Sequence, residues 1–162
     1  MTINMRDYHT NDAASVAALI SPVFRAGDTY AVDADMTDAQ ALAYWTGGEK
    51  RVFVAEDDGQ LLGTYYVVRN FKGGGSHVCN CGYITGDQAR GKGLARLMLA
   101  HSLETAKSLG FRAMQYNSVI ATNTRAIDIW TRAGFDVIGR LPEAFLHPVQ
   151  GYVDALVMYR KL

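Results

Sequence analysis

The 162-residue chain has no excess of charge, almost no cysteine and no long apolar run, and each lack removes a class of function. Sixteen Lys and Arg balance sixteen Asp and Glu, so there is no electrostatic footprint for a nucleic-acid partner. The two cysteines, Cys79 and Cys81, stand two apart in a segment of alternating pattern. Two thiols alone make no metal site, and a disulfide across one strand residue is strained. No metal is therefore expected, and both cysteines read as small core residues of a reducing compartment. No stretch approaches the roughly 20 apolar residues that span a bilayer, and MTINMRDYHTND has no apolar signal core. A cytoplasmic protein with no membrane partner is expected. Repeats, low-complexity tracts and linkers are missing too, and residues 1–162 read as one domain.

What is present is unevenly spread. Residues 1–60 hold ten of the acidic side chains and four of the basic ones, while the remainder is cationic. A cationic second half suits a polyanionic cofactor, and an acidic first half suits a cationic amine, although solvated faces explain either equally well. Within the second half, NCGYITGDQARGKGLARLMLAHSLETAKSL (Asn80 to Leu109) reads as a strand, a glycine-rich turn and a long helix. Cys79, Cys81 and Tyr83 alternate with Val78, Asn80 and Ile84, and Leu94, Met98, Leu99, Leu103, Ala106 and Leu109 form a helical stripe. Between them lies Arg90-Gly91-Lys92-Gly93-Leu94-Ala95. Glycines admit close backbone approach, the helix start presents unpaired N–H groups, and Arg90, Lys92 and Arg96 add positive charge. These are the parts of a pyrophosphate cradle, or more plainly of a tight connection. The spacing is neither the Rossmann fingerprint nor the Walker sequence.

The segment resembles the R/Q-x-x-G-x-G/A acyl-CoA loop of the GNAT (Gcn5-related N-acetyltransferase) superfamily. A second stretch, from Asn123-Thr124-Arg125-Ala126 through Ile129-Trp130 to Gly134-Phe135, is similar to that family's N-x-x-A-x-x-[IL]-Y-x-x-x-GF. The resemblance runs from about Arg51 to the C-terminus and implies an acetyl-CoA-dependent N-acetyltransferase acting on a small-molecule or amino-acid-like amine. A protein N-terminal or lysine acetyltransferase and a non-catalytic acyl-CoA sensor are the alternatives. It also implies a mixed α/β fold whose two central parallel strands splay around the thioester, and a family in which homodimers are common. Cofactor contacts would then come from Tyr83, Thr85, Arg90, Gly91, Lys92, Gly93, Leu94, Ala95, Arg96, Asn123 and Trp130. A backbone N–H of the Tyr83–Thr85 strand end would serve as oxyanion donor.

One departure matters. Where the family places a tyrosine that serves as acid for the leaving thiolate, this chain has Trp130, whose indole is a donor only. A thiol pKa near about 8.5 makes a fair leaving group without an acid. Tyr83, Tyr116 and Tyr152 are substitute acids on paper, each equally readable as a half-buried strand aromatic. His77 is a candidate base through water, His101 reads as structural, and His9 and His147 as loop residues. Asn80, unfavourable in mid-strand, joins Asn117 and Asn123 as amides facing the expected gap. Asn80 is a candidate for catalysis, and Asn80 and Asn117 for acceptor binding; the trio with Ile129-Trp130 resembles fungal proline-analogue N-acetyltransferases and their bacterial relatives. Asp28, Asp33 and Asp35 are candidates to meet an ammonium.

In chain order the pattern predicts a strand over Thr2–Tyr8, a helix burying Val16, Ala17, Leu19 and Ile20 before Pro22, and a Thr37-capped helix to Gly47. A hairpin across Asp58-Gly59 follows, then the central unit. Next come a strand over Phe111–Val119, a helix from Thr122 or Asn123 to Gly134, and strands Phe135–Gly139 and Tyr152–Arg160 around a Pro142–Gly151 loop. The expected sheet is mixed, largely antiparallel in its first half, and flanked by helices.

Overall fold

The computed structural model describes residues 2–162. A seven-stranded sheet runs in the order β1-β2-β3-β4-β5-β7-β6. Its strands are β1 (Asn4–Asp7), β2 (Arg51–Asp57), β3 (Gln60–Arg69), β4 (Val78–Thr85), β5 (Ala113–Ile120), β6 (Asp136–His147) and β7 (Gly151–Lys161). All neighbouring pairs are antiparallel except β4 and β5. Helices α1 (Ala13–Ala26) and α2 (Asp38–Thr46) pack on one face, and α3 (Leu94–Ser108) and α4 (Thr124–Arg132) on the other.

Strand alternation divides the core between these faces. Phe53, Tyr65, Cys79, Cys81, Met114, Tyr116 and Met158 meet Leu94, Met98, Leu99, Ile129 and Trp130. Val52, Val54, Tyr66 and Ile84 meet Val16, Ile20, Phe24 and Trp45. Both cysteines are buried free thiols on the α3 face, as two residues of one strand face must be. Thr37 caps α2 by accepting from the Gln40 N–H at 3.2 Å, while the Gln40 side chain returns to the Thr37 N–H.

Two prolines do not act as the pattern predicts. Helix α1 continues through Pro22 to Ala26 and ends at Gly27 in the left-handed region. Pro22 and Ala18, whose carbonyl the ring displaces, both lie on the exposed face, so water can satisfy the freed group. Likewise β6 does not stop at Gly139 but runs through Pro142 to His147. It is the edge strand, where a missing N–H costs no ladder bond. The register shifts between Leu141 and Phe145, and the Glu143 N–H donates instead to Asp154 Oδ1 at 2.9 Å. The supposed Pro142–Gly151 loop shrinks to a turn in which His147 Nδ1 accepts from the N–H groups of Val149 and Gln150, each at 3.1 Å.

Strand β4 pairs with β5 at only two positions, Val78↔Ala113 and Cys79↔Met114. Beyond them the two parallel strands part. The candidate site is built around this gap.

Candidate active site

The phase of β4 decides which of its backbone groups face the gap. Asn70 N–H donates to the Val78 carbonyl at 2.8 Å and Gly86 N–H to the Leu62 carbonyl at 2.8 Å, so even-numbered residues of β4 bond to β3. Arg112 N–H donates to the His77 carbonyl at 2.8 Å, which puts the odd-numbered residues toward β5. Past Cys79 there is no partner strand, and the backbone groups of Cys81, Tyr83 and Thr85 therefore open onto the gap. A cavity of about 590 Å³ occupies it.

At one end of this cavity lie Thr85, Ala89, Arg90, Gly91, Leu94 and Ala95, the end of β4 and the start of α3. Gly91 and Gly93 have φ of +74° and +80°, and a Cβ on either would project into open space. The chain is thus bent by two left-handed glycines and leaves its outer side bare for a ligand. The N–H groups of Leu94, Ala95 and Arg96 stand in the first turn of α3, where a helix offers them no carbonyl. Arg90 is exposed and pairs with Asp87 at 3.0 Å, while Lys92 and Arg96 are exposed beside the loop rather than on the cavity wall. Bare N–H groups, a helix dipole end and three cations suit the pyrophosphate of a nucleotide-bearing cofactor.

The middle of the cavity is aromatic. Trp130 projects from α4 between Tyr83 and Tyr116, with ring centroids 5.1 Å from each, and Tyr116 stacks on Phe135 at 4.5 Å. Ser102 Oγ donates to the Leu99 carbonyl at 2.7 Å, so it accepts from the Tyr83 hydroxyl at 2.7 Å, which in turn accepts from Tyr116 at 3.0 Å. The protons of this chain all run toward a carbonyl, and burial pushes both phenols well above their ordinary pKa. These contacts tie β4 to β5 and to α3. Asn123 caps α4 by accepting from the Ala126 N–H at 3.4 Å, and it also lines the cavity.

The other end is walled by Val23, Tyr30, Tyr44 and Tyr66, with Asn80 and Asn117 at the gap. Tyr66 lies over its cross-strand partner Gly82, where a Cβ would come within 2.6 Å of the ring. Trp45 meets Tyr66 edge-on at 4.8 Å, and the Lys50 ammonium sits 4.1 Å from the Tyr44 ring centroid. Desolvation there lowers the Lys50 pKa. The Asn80 side chain has no hydrogen-bond partner among the described residues. Asn117, by contrast, exchanges two amide bonds with Asn70 at 3.1 and 2.6 Å and accepts from Gln115 at 2.9 Å.

Several expected residues lie elsewhere. His77 is exposed in the turn before β4, at the opposite end of the strand from Thr85, and is not on the cavity wall. Tyr152 is 68% exposed on β7. His101 accepts from or donates to Tyr65 at 2.7 Å on the α3 face, and burial lowers its pKa. Asp28, Asp33 and Asp35 do not line the cavity; their neighbours Thr29, Tyr30 and Ala31 do. Tyr30, Tyr44 and Tyr66 escape a sequence reading because they come from a loop, a helix and a strand with no common spacing.

The acetyltransferase (GNAT) family model matches residues 16–135. The chain belongs to that family. A GCN5-related N-acetyltransferase from Kribbella flavida superposes with a TM-score of 0.92 at 39% identity, covering 99% of this chain and 98% of that one. N-acetyltransferase aca1 of Schizosaccharomyces pombe is 37% identical over 60% of this chain but only 47% of its own length, so the match spans about half of that relative. An L-methionine sulfoximine/L-methionine sulfone acetyltransferase of Pseudomonas paraeruginosa is 29% identical across 88% of this chain and 86% of its own.

Proposed function

We propose that the protein transfers the acetyl group of acetyl-CoA to the amine of a small, amino-acid-like molecule. The observation that carries this reading is one continuous cavity joining two unlike ends, a glycine-bent anion cradle at the start of α3 and a tyrosine-walled compartment under α1 and α2. Acyl transfer between two bound molecules needs both ends and a passage between them.

In this reading the pyrophosphate lies on the N–H groups that follow Gly93, with Arg90, Lys92 and Arg96 around it, and the pantetheine follows Thr85 and Tyr83 along β4. The gap-facing N–H groups of β4 supply the hydrogen bond that strengthens as the thioester oxygen gains charge. The amine nitrogen bonds to the carbonyl carbon, the C–S bond breaks, and the thiolate leaves with the electron pair. Trp130 packs as a wall, and the thiolate departs without a side-chain acid, which its modest basicity permits. The amine must arrive neutral, and the proton that its nitrogen sheds on amide formation passes through water to the departed thiolate, since among the described residues no carboxylate or histidine lines the cavity. The likeness to a methionine sulfoximine and sulfone acetyltransferase supports an acceptor of amino-acid size.

The test is thioester consumption with a panel of amino acids, amino-acid analogues, polyamines and a lysine peptide, with the acetylated product identified by mass. Turnover confined to the small amino-acid-like compounds is expected. Turnover on the peptide alone would favour a protein acetyltransferase, and CoA binding with no turnover would favour a sensor.

A further inference from the structure

We propose that the phenolic oxygen of Tyr30 is the hydrogen-bond acceptor that receives the N–H of the incoming amine, making Tyr30 an acceptor-binding residue of the cavity. The proposal rests on the reading of the cavity as an acyl-transfer site and adds to it the group that meets the nucleophile.

Tyr30 belongs to the segment between α1 and α2, and its hydroxyl donates to the Tyr83 carbonyl at 3.0 Å. That carbonyl is an odd-numbered group of β4, so it faces the gap where β5 has already turned away. The Tyr30 hydroxyl is therefore held at the divide between the cofactor strand and the aromatic compartment, and Tyr30 lines the cavity there. A phenol has one proton and two lone-pair sites. With its proton committed to Tyr83, the oxygen can only accept. No other protein donor reaches it among the described residues. A pure acceptor at the mouth of the gap calls for a donor on the ligand, and the N–H of an amine is the donor that an acyl-transfer acceptor brings.

The surroundings hold Tyr30 in this role. Its ring is packed edge-on by Phe24 at 5.3 Å and by Trp45 at 6.0 Å. Those two residues are fully buried, so the ring has little freedom to swing out of the cavity wall. Burial raises the Tyr30 pKa well above the ordinary phenol value, and the group stays protonated across the working range. It orients the amine and takes no proton from it. The unpartnered amide of Asn80 lies on the same wall, and it offers a second neutral acceptor as well as a donor.

The experiment uses Tyr30→Phe in the full chain, which keeps the ring packing and deletes the oxygen. Calorimetric titration of the best amine of the panel into protein saturated with CoA reads acceptor binding without turnover, and a separate titration reads CoA itself. The expected result is amine affinity reduced about 10-fold or more with CoA affinity unchanged. Where turnover is measured, kcat/KM for the amine should fall by a similar factor. Equal amine affinity in the two proteins overturns the proposal, as does wild-type protein that binds no amine of the panel. A variant that loses CoA and amine binding together also overturns it, since Tyr30 would then merely brace β4. Wild-type protein that binds amine through Tyr30 but never consumes the thioester leaves this assignment standing and removes acyl transfer.

Discussion

The two ends of the cavity are made by opposite means. The cradle at α3 is backbone: two glycines at positive φ, the bare amides of a helix start, and cations on flexible exposed stems. The compartment under α1 and α2 is side chain: Tyr30, Tyr44 and Tyr66 held by Phe24, Trp45 and Lys50, with almost every ring in contact with another. A pyrophosphate is the same in every acetyl-CoA, and backbone amides recognise it without reference to side-chain identity. An acceptor varies, and rings and amides can be exchanged without moving the backbone. On the proposed reading, the cradle can serve any acyl-CoA enzyme, and the aromatic compartment is where a choice of acceptor would be made.

Trp130 stands where the two ends meet, and it gives the largest effect. Truncation to alanine removes a ring that contacts Tyr83 and Tyr116, and should cost about 3–5 kcal/mol of stability. Trp130→Phe keeps most of that packing and should keep most of the turnover. Thermal melting and steady-state kinetics on both variants check this. A loss of several orders in kcat for Trp130→Phe with normal melting would mean that the indole N–H takes part in chemistry.

Next in size, Gly93→Val should separate the ends. Valine is strained at φ +80°, and its branches would occupy the bare side of the loop. CoA affinity should fall by ~100-fold or more, about 2.8 kcal/mol, while the acceptor compartment and the fold persist. Calorimetry with CoA, together with far-UV circular dichroism, reads the two quantities. Unchanged affinity in the folded variant would end the assignment of the cradle.

Ion pairs show a contrast too, between one at the cradle and one away from the cavity. Arg90 and Asp87 at the cradle are exposed, and removing either should change stability by less than about 1 kcal/mol. Beneath α1, Arg6 grips Asp12 through two bonds of 2.8 and 3.0 Å and Glu56 through bonds of 3.0 and 2.8 Å, with the Asp12 side chain only 12% exposed. The Arg6 guanidinium holds the Asp12 pKa below its ordinary value. A depressed carboxylate contributes stability that is present at neutral pH and lost as pH falls through about 3.9 toward the folded-state value. Asp12→Asn should thus cost about 1–3 kcal/mol at pH 7 and flatten the decline of stability below pH ~4. Denaturant midpoints at neutral and acid pH measure both.

The same contrast explains what could be read from the residues alone. Gly91, Gly93 and the Thr37–Gln40 cap act within a few residues of chain, so their geometry is written locally. The parting of β4 from β5 was legible only through the family resemblance, because nothing in either strand marks where pairing stops. Pro22 and Pro142 mislead because a missing N–H matters only where a partner waits, and solvent exposure and sheet edges are tertiary facts. The acidic loop draws attention to Asp28, Asp33 and Asp35, yet the fold turns Tyr30 inward. Charge is conspicuous in a sequence, and a wall of three distant tyrosines is not.

The smallest effect tests the acceptor end against itself. Asn80 and Asn117 both line the cavity, on opposite sides of the gap, and the structure treats them differently. Asn117 has its amide oxygen occupied by Asn70 and Gln115 and its amide nitrogen by Asn70. Alanine there removes bonds already made, so it should lower stability by about 0.5–1.5 kcal/mol, and the partners left behind can turn to water because the site is exposed. Asn80 is half-buried with its amide unpaired in the protein, so Asn80→Ala should leave the melting temperature nearly unchanged. If its amide meets the acceptor, KM for the amine should rise about 10-fold, roughly 1.4 kcal/mol, with CoA affinity intact. Melting and kinetics on the two variants therefore move in opposite columns. A lower melting temperature for Asn80→Ala with normal KM would make Asn80 structural. A raised KM for Asn117→Ala at normal stability would show that its bonds to Asn70 open when the acceptor binds.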